Sequence, residues 1–171
     1  IILVDDGSTD DTAQIIHQYE DSFAKEGMVL RYIYQENKGL GGAINTGLAN
    51  FTGDYLCWID CDDFLMEKSV EIRLNFLLDN PEFGCVSSNA NIYNDTDLNT
   101  PIRNVADACK ATNSHPRQFL LLLKSKTIFC AGCHMIRTSA FLETNPDRRI
   151  FPARRGQNWQ MLLPVYYKHK R

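Results

Sequence analysis

Four short apolar runs alternate with three segments whose apolar residues recur at helical spacing, and this alternation restricts the chain to few folds. The runs are Ile1 to Val4, Met28 to Tyr34, Tyr55 to Ile59 and Phe83 to Ser88. Each is rich in β-branched or aromatic residues and has the length of a strand. Between them Ile15, Ile16, Tyr19 and Phe23 make one stripe, and Leu40, Ala43, Ile44, Leu48 and Phe51 a second. Val70, Leu74, Leu77 and Leu78 make the third. Ser8, Thr9 and Asp10 are able N-caps, Gly27 suits a C-terminal cap, and Asp79-Asn80-Pro81 stops the third helix. Strand and helix in this order predict an α/β fold with a mostly parallel central sheet, flanked by helices and joined by right-handed crossovers.

After Asn89 the regularity lapses. Residues 89–116 are rich in Asn and Asp and carry Pro101 and Pro116, so they read as a functional lid or a mobile segment. Phe119 to Leu123 then predicts a helix, Thr127 to Ile136 a long strand with a bulge at Gly132, and Asn158 to Lys170 a helix.

A chain of 171 residues supports one domain with its own core. A net charge of −3 argues against nucleic acid as a partner. The absence of an apolar run long enough for a bilayer, or of a signal peptide, gives the expectation of a cytoplasmic protein, at most peripheral to a membrane's inner face. Because Ile1 already opens a strand pattern, a further element is expected before it. The cysteines, at 57, 61, 85, 109, 130 and 133, fall mostly in apolar runs and read as reduced, buried thiols. Cys130 and Cys133 form a CxxC, but no second pair completes a zinc site.

Acids follow two of the strands: Asp5 and Asp6 after the first, Asp60, Asp62 and Asp63 after the third. Ligands of open α/β sheets bind at the carboxyl ends of strands. Crowded carboxylates repel unless a cation sits among them, and their hard oxygens suit Mg²⁺ or Mn²⁺. Solvated polar turns are the plainer alternative. Lys38-Gly39-Leu40-Gly41-Gly42 permits close approach of a ligand or of a neighbouring element, and the residues alone do not choose. Arg148, Arg149, Arg154 and Arg155 suit either solvent or phosphate. His134, within an apolar run, reads as structural.

Three stretches, Ile1 to Thr12 (IILVDDGSTDDT), Glu36 to Leu48 (ENKGLGGAINTGL) and Gly53 to Asp63 (GDYLCWIDCDD), together resemble the family 2 glycosyltransferases. The resemblance implies an inverting enzyme of the GT-A fold, a Rossmann-like nucleotide-diphospho-sugar transferase sandwich, here lacking its first strand. It implies one domain over 1–171, with a nucleotide-sugar-binding half at 1–88 and an acceptor-side half at 89–171. Asp5 and Asp6 would lie in the nucleotide pocket, with Lys38, Gly39 and Asn45 beside it. Asp60 and Asp62 match the family's DxD motif, Asp60 near the ribose and Asp62 holding Mg²⁺ or Mn²⁺ at the donor's pyrophosphate, with Asp63 in support. The implied donor is a nucleotide-sugar, by preference a UDP-sugar; the acceptor is a saccharide or lipid-linked hydroxyl, in polysaccharide assembly.

One motif departs from the family. Where its catalytic base sits in a late Glu-Asp pair, this chain has Gln157-Asn158, and amides cannot take a proton. Asn158 and Gln157 would orient the acceptor while Asp147 acts as base, or the base lies beyond Arg171, or the domain binds nucleotide-sugar with little turnover. A haloacid-dehalogenase-type phosphatase is the rival enzyme class, but Phe64 stands where that motif wants Gly.

Overall fold

The structure, a computed structural model, describes residues 1–106, 118–128 and 130–171. Cys109 and the end of the irregular 89–116 segment lie outside the described residues. The chain forms two compact units, Ile1–Thr52 with Asp147–Gln157, and Gly53–Pro146 with Asn158–Arg171.

The first unit contains β1 (Ile2–Asp6), α1 (Thr12–Gln18), α2 (Glu20–Lys25), β2 (Arg31–Gln35) and α3 (Gly39–Asn50). β1 and β2 pair in parallel from Ile2↔Arg31 to Asp6↔Gln35, as the crossover between them requires. The single helix expected behind the first acids is broken at Tyr19, whose N–H bonds to Ile16 O at 3.0 Å. β2 starts at Arg31 rather than Met28, leaving Met28 and Val29 exposed. β1 is not buried on both faces: Val4 turns toward α3 at Gly47, whereas Leu3, on the opposite face, is exposed.

Residues 147–157 are latched onto α3 by side chains that bond to backbone. Asn45 donates from Nδ2 to Ile150 O at 2.9 Å and accepts at Oδ1 from Ile150 N–H at 2.8 Å, copying a two-bond strand bridge. Arg148 donates to Phe51 O at 2.9 Å and lays its guanidinium over the Phe51 ring at 4.7 Å. At Gly41 a Cβ would lie 2.7 Å from Pro152 Cα. The glycine therefore serves backbone contact between neighbouring segments.

The second unit contains β3 (Tyr55–Leu56), α4 (Ser69–Asp79), β4 (Cys85–Ser87), β5 (Asn91–Ile92), β6 (Arg103–Asn104), α5 (Gln118–Leu123), a 3₁₀ turn (Ala131–Cys133), β7 (His134–Arg137), α6 (Thr138–Thr144) and most of α7 (Gln157–Lys168). β7 lies between β3 and β4 and is antiparallel to both, with Leu56↔Ile136 and Cys85↔Ile136 in register. β3 and β4 thus run parallel to each other, as a helical crossover predicts, but a late strand fills the slot between them. The α/β class stands. Among the described residues β1–β2 is the parallel ladder, an antiparallel strand stands between the parallel β3 and β4, and β5–β6 is a separate antiparallel hairpin.

Two strands, β3 and β7, are shorter than expected. Continuing the β3–β7 register places Trp58 opposite His134, and their rings do stack at 5.9 Å. The chain before His134 is coiled into the 3₁₀ turn, so β7 starts at His134 and offers no ladder to residues beyond Trp58. Gly132 accordingly sits in that turn and not in a bulge.

Leu77, Leu122, Ile136, Phe141, Leu162 and Val165 are fully buried in this unit. So is Arg73, which replaces part of the expected α4 stripe; Val70 and Leu78 are exposed. Its charge is met by carbonyls: Nε donates to Ser69 O at 3.0 Å, and Nη1 to Gly132 O at 2.8 Å and His134 O at 3.1 Å. His134 is buried with Ser87 Oγ 2.6 Å from its Nδ1. Burial, reinforced by the Arg171 and Arg73 charges, pushes the imidazole down to about 3.

Two measurements test this packing. Alanine at an open helix position would stabilise by up to about 1 kcal/mol over glycine. Gly41→Ala is instead expected to destabilise by about 1–3 kcal/mol in urea unfolding, because Pro152 backbone occupies the Cβ position; a stabilised variant contradicts the latch. His134 stays neutral when folded but protonates near 6.5 when unfolded, so the unfolded state binds more protons between that pH and about 3. Stability is therefore lost as pH falls through this window. His134→Asn should lose about 2 kcal/mol less than the parent between pH 7 and 5; an unchanged acid slope contradicts the buried neutral ring.

Candidate active site

In the first unit the acids at the end of β1 are held by donors. Asp5 is buried, accepting at Oδ1 from Ser8 N–H at 2.8 Å and at Oδ2 from Tyr32 Oη at 2.6 Å. The Tyr32 hydroxyl foremost, then Ser8, lowers the Asp5 pKa, and the same bond pushes Tyr32 up to about 12. Asp6 accepts at Oδ1 from Lys38 N–H at 2.8 Å and from Gln35 Nε2, while Thr46 Oγ1 donates to the Gln35 carbonyl. These bonds fix the turn after β1 against the turn before α3. They put Lys38 and Gly39, the latter exposed at φ +71°, beside Asp6. Both polar atoms of Asn45 are taken by Ile150, which makes Asn45 a residue that holds segment 147–157 in place.

In the second unit the acids behave differently. Asp60 to Asp63 form a tight turn, closed by Asp63 N–H to Asp60 O at 3.1 Å. No donor of the described residues bonds to these carboxylates. The Asp60 pKa is raised, first by burial and then by the Asp63 and Asp62 charges. Asp62 and Asp63 line a cavity of about 720 Å³, whose further walls include Phe64, Tyr93, Asp95 and Asn104. Phe64 and Tyr93 sit ring to ring at 5.7 Å. The β5–β6 hairpin beneath is braced by amides: Asn89 Nδ2 donates to Asn104 Oδ1, and Asn104 Nδ2 to Asn91 Oδ1 at 3.0 Å.

Among the described residues no group of three or more His, Cys, Asp or Glu side chains is gathered as a metal site. Mg²⁺ is commonly held by one or two carboxylates with substrate phosphates and water completing its shell, and Asp60 and Asp62 are the residues that would hold it here. The unrelieved repulsion at Asp60 and its neighbours fits such a cation.

The late amides are both engaged. Gln157 is buried and donates from Nε2 to Ala153 O at 2.7 Å. Asn158 accepts at Oδ1 from Trp58 Nε1 at 2.9 Å, which ties α7 to the residues leading into Asp60. Asp147 is exposed, in the turn after α6, and belongs to the first unit. Of the four arginines, Arg148 is the latch to Phe51, and Arg149, Arg154 and Arg155 are exposed. Sequence reasoning missed Trp58 as the partner of Asn158, the Phe64–Tyr93 pair, and the placement of Cys130 and Cys133 in the cavity wall. The CxxC spacing was the one available signal among these.

Known proteins agree on the fold and the family. S. aureus TarS 1-349 matches 99% of this chain and 46% of its own with a TM-score of 0.67 at 19% identity, which shows the fold. A glycosyltransferase of Haemophilus influenzae is 40% identical over 80 residues, covering 47% of this chain and 31% of that protein. Chondroitin synthase of Escherichia coli is 35% identical over 99 residues, covering 57% and 14%. Glycosyltransferase GlyA of Streptococcus pneumoniae is 39% identical over 71 residues, covering 42% and 10%. The chain thus spans about a tenth to a third of these relatives' lengths. The family model for glycosyl transferase family 2 matches residues 1–144, and the chain belongs to that family.

Proposed function

We propose that the chain is the donor-binding and catalytic domain of a glycosyltransferase. It moves a sugar from a nucleoside diphosphate, by preference UDP, to an acceptor hydroxyl with inversion, and Asp60 and Asp62 hold Mg²⁺ or Mn²⁺. The observation that carries this reading is the Asp60–Asp63 turn, where burial and the Asp63 and Asp62 charges raise the Asp60 pKa while Asp62 and Asp63 line a 720 Å³ cavity. Family membership supports transfer of a sugar. The names of the relatives give neither a donor nor an acceptor for this chain.

In the first unit Asp6 is the better nucleoside ligand. Its Oδ2 has no partner among the described residues, and a carboxylate accepts what ribose hydroxyls or uracil N3–H donate. Asp5, with both oxygens bonded inside the protein, positions the turn. In the second unit Asp62 and Asp60 face the cation, and a cation there offsets the charge that builds on the leaving diphosphate. The Phe64 and Tyr93 rings offer an apolar surface to a saccharide, with Asn104 and Asp95 as polar contacts. A base must take the acceptor's proton on the face opposite the leaving group. Asp95 in the cavity and Asp147 are the carboxylates proposed for it, since Gln157 and Asn158 are engaged as amides. Among the described residues no helix is long and apolar enough to cross a membrane; a cytoplasmic place, peripheral to the membrane, is part of the proposal.

A second reading, nucleotide-sugar binding with little turnover, is favoured by the two amides at the base position. Calorimetric titration of UDP with and without Mn²⁺ should show metal-dependent tightening that Asp62→Ala removes. Retained tightening in the variant overturns the metal assignment. Transfer or slow hydrolysis of a UDP-sugar then separates enzyme from binding module, and turnover of p-nitrophenyl phosphate alone would point to the phosphatase class.

A further inference from the structure

Cys130 and Cys133 have no part in the roles above. They do not sit in a strand, where buried thiols were expected. Cys130 caps the 3₁₀ turn that Cys133 ends, and Cys133 N–H bonds to Cys130 O at 3.3 Å. Cys130 is extended at φ −64° and ψ 142°, just outside the turn, and its sulfur is met by the Cys133 side chain. Such a closed turn brings the two Cα atoms into the range of about 4.4–6.8 Å that a disulfide spans.

Both residues line the 720 Å³ cavity, Cys130 half-buried and Cys133 buried. Arg73 fixes the turn from behind through Gly132 O and His134 O. The remaining described cysteines differ: Cys85 is buried beside β7, Cys57 is half-buried, and Cys61 is exposed on the acidic turn. The Cys133 S–H directed at Cys130 stabilises its thiolate and brings its pKa to about 7, against burial and the charges of Asp63 and Asp60. Cys133 is raised by the same contact and by burial, with Arg73 opposing.

We propose that Cys130 and Cys133 are a redox pair in the cavity wall, reversibly closed to a disulfide by hydrogen peroxide. The Cys130 sulfur attacks one peroxide oxygen, the O–O bond breaks, and water leaves, giving a sulfenic acid. The Cys133 sulfur then displaces the sulfenic oxygen as a second water. Two thiols and one peroxide thus become one disulfide and two waters, each sulfur losing one electron. Closure joins two walls-lining side chains and alters the surface offered to a saccharide. That consequence rests on the acceptor reading given above; the disulfide does not.

The test treats the reduced full-length protein with peroxide and maps its peptides without reduction. The expected result is loss of two hydrogens within the peptide holding residues 130 and 133, reversed by dithiothreitol. Cys133→Ser should leave Cys130 as a sulfenic acid captured by dimedone, and Cys130→Ser should prevent both products. Should a variant fail to fold, the map of the parent protein decides. Cys130 and Cys133 remaining reduced while Cys61 oxidises overturns the pair, as does a disulfide to any other cysteine. Oxidised protein should bind UDP as the reduced protein does and lose transfer to acceptor. Full transfer by the oxidised protein overturns the effect on the cavity, whereas failure of the reduced protein to bind UDP counts against the proposed function and leaves the disulfide result intact.

Discussion

Like charges held close together must be relieved, and the two acidic clusters of this chain are relieved in opposite ways. Asp5 draws on the Tyr32 hydroxyl and the Ser8 amide, so its charge is stabilised within the protein. Asp60 gains no donor among the described residues, and burial, then the Asp63 and Asp62 charges, destabilise its charge. In sequence the two clusters look alike: an apolar run, then aspartates. In the folded chain the first is largely braced by the protein's own donors, and the second is where a cation is proposed. The proposed chemistry depends on that contrast.

Side chains that bond to backbone carbonyls set much of the remaining architecture. Asn45 bridges to Ile150, Arg73 to Gly132 and His134, and Arg137 to Phe83 O at 2.9 Å with further bonds to Leu77 O and Asn80 O. Each pins a loop that lacks a ladder of its own. Carbonyls meet a buried guanidinium without the rigid geometry of an ion pair, which allows Arg73 to sit in the core although no carboxylate of the described residues pairs with it.

What the sequence made legible follows from what is local. The β1–α–β2–α3 order, the parallel pairing of β1 and β2 and the acids after β1 and β3 depend on period and punctuation within short windows. The family resemblance, carried by three motifs within the first 63 residues, agrees with the match over residues 1–144. What was illegible is non-local. The insertion of β7 between β3 and β4 depends on a strand far along the chain from both, and the 3₁₀ turn before it shortened the expected 127–136 strand. Arg73 broke the α4 stripe because a charge at a core position carries no periodic signal. Asn158 offered no hint that its partner would be Trp58, 100 residues earlier.

The account stands on a cation at the Asp60–Asp63 turn. Anomalous scattering from crystals of the full-length protein grown with UDP and Mn²⁺ locates that ion directly. A manganese peak within about 2.0–2.3 Å of an Asp62 carboxylate oxygen, bridged to the diphosphate, is the predicted result. A diphosphate bound with the manganese away from residues 60 and 62, or with no manganese at all, would contradict it.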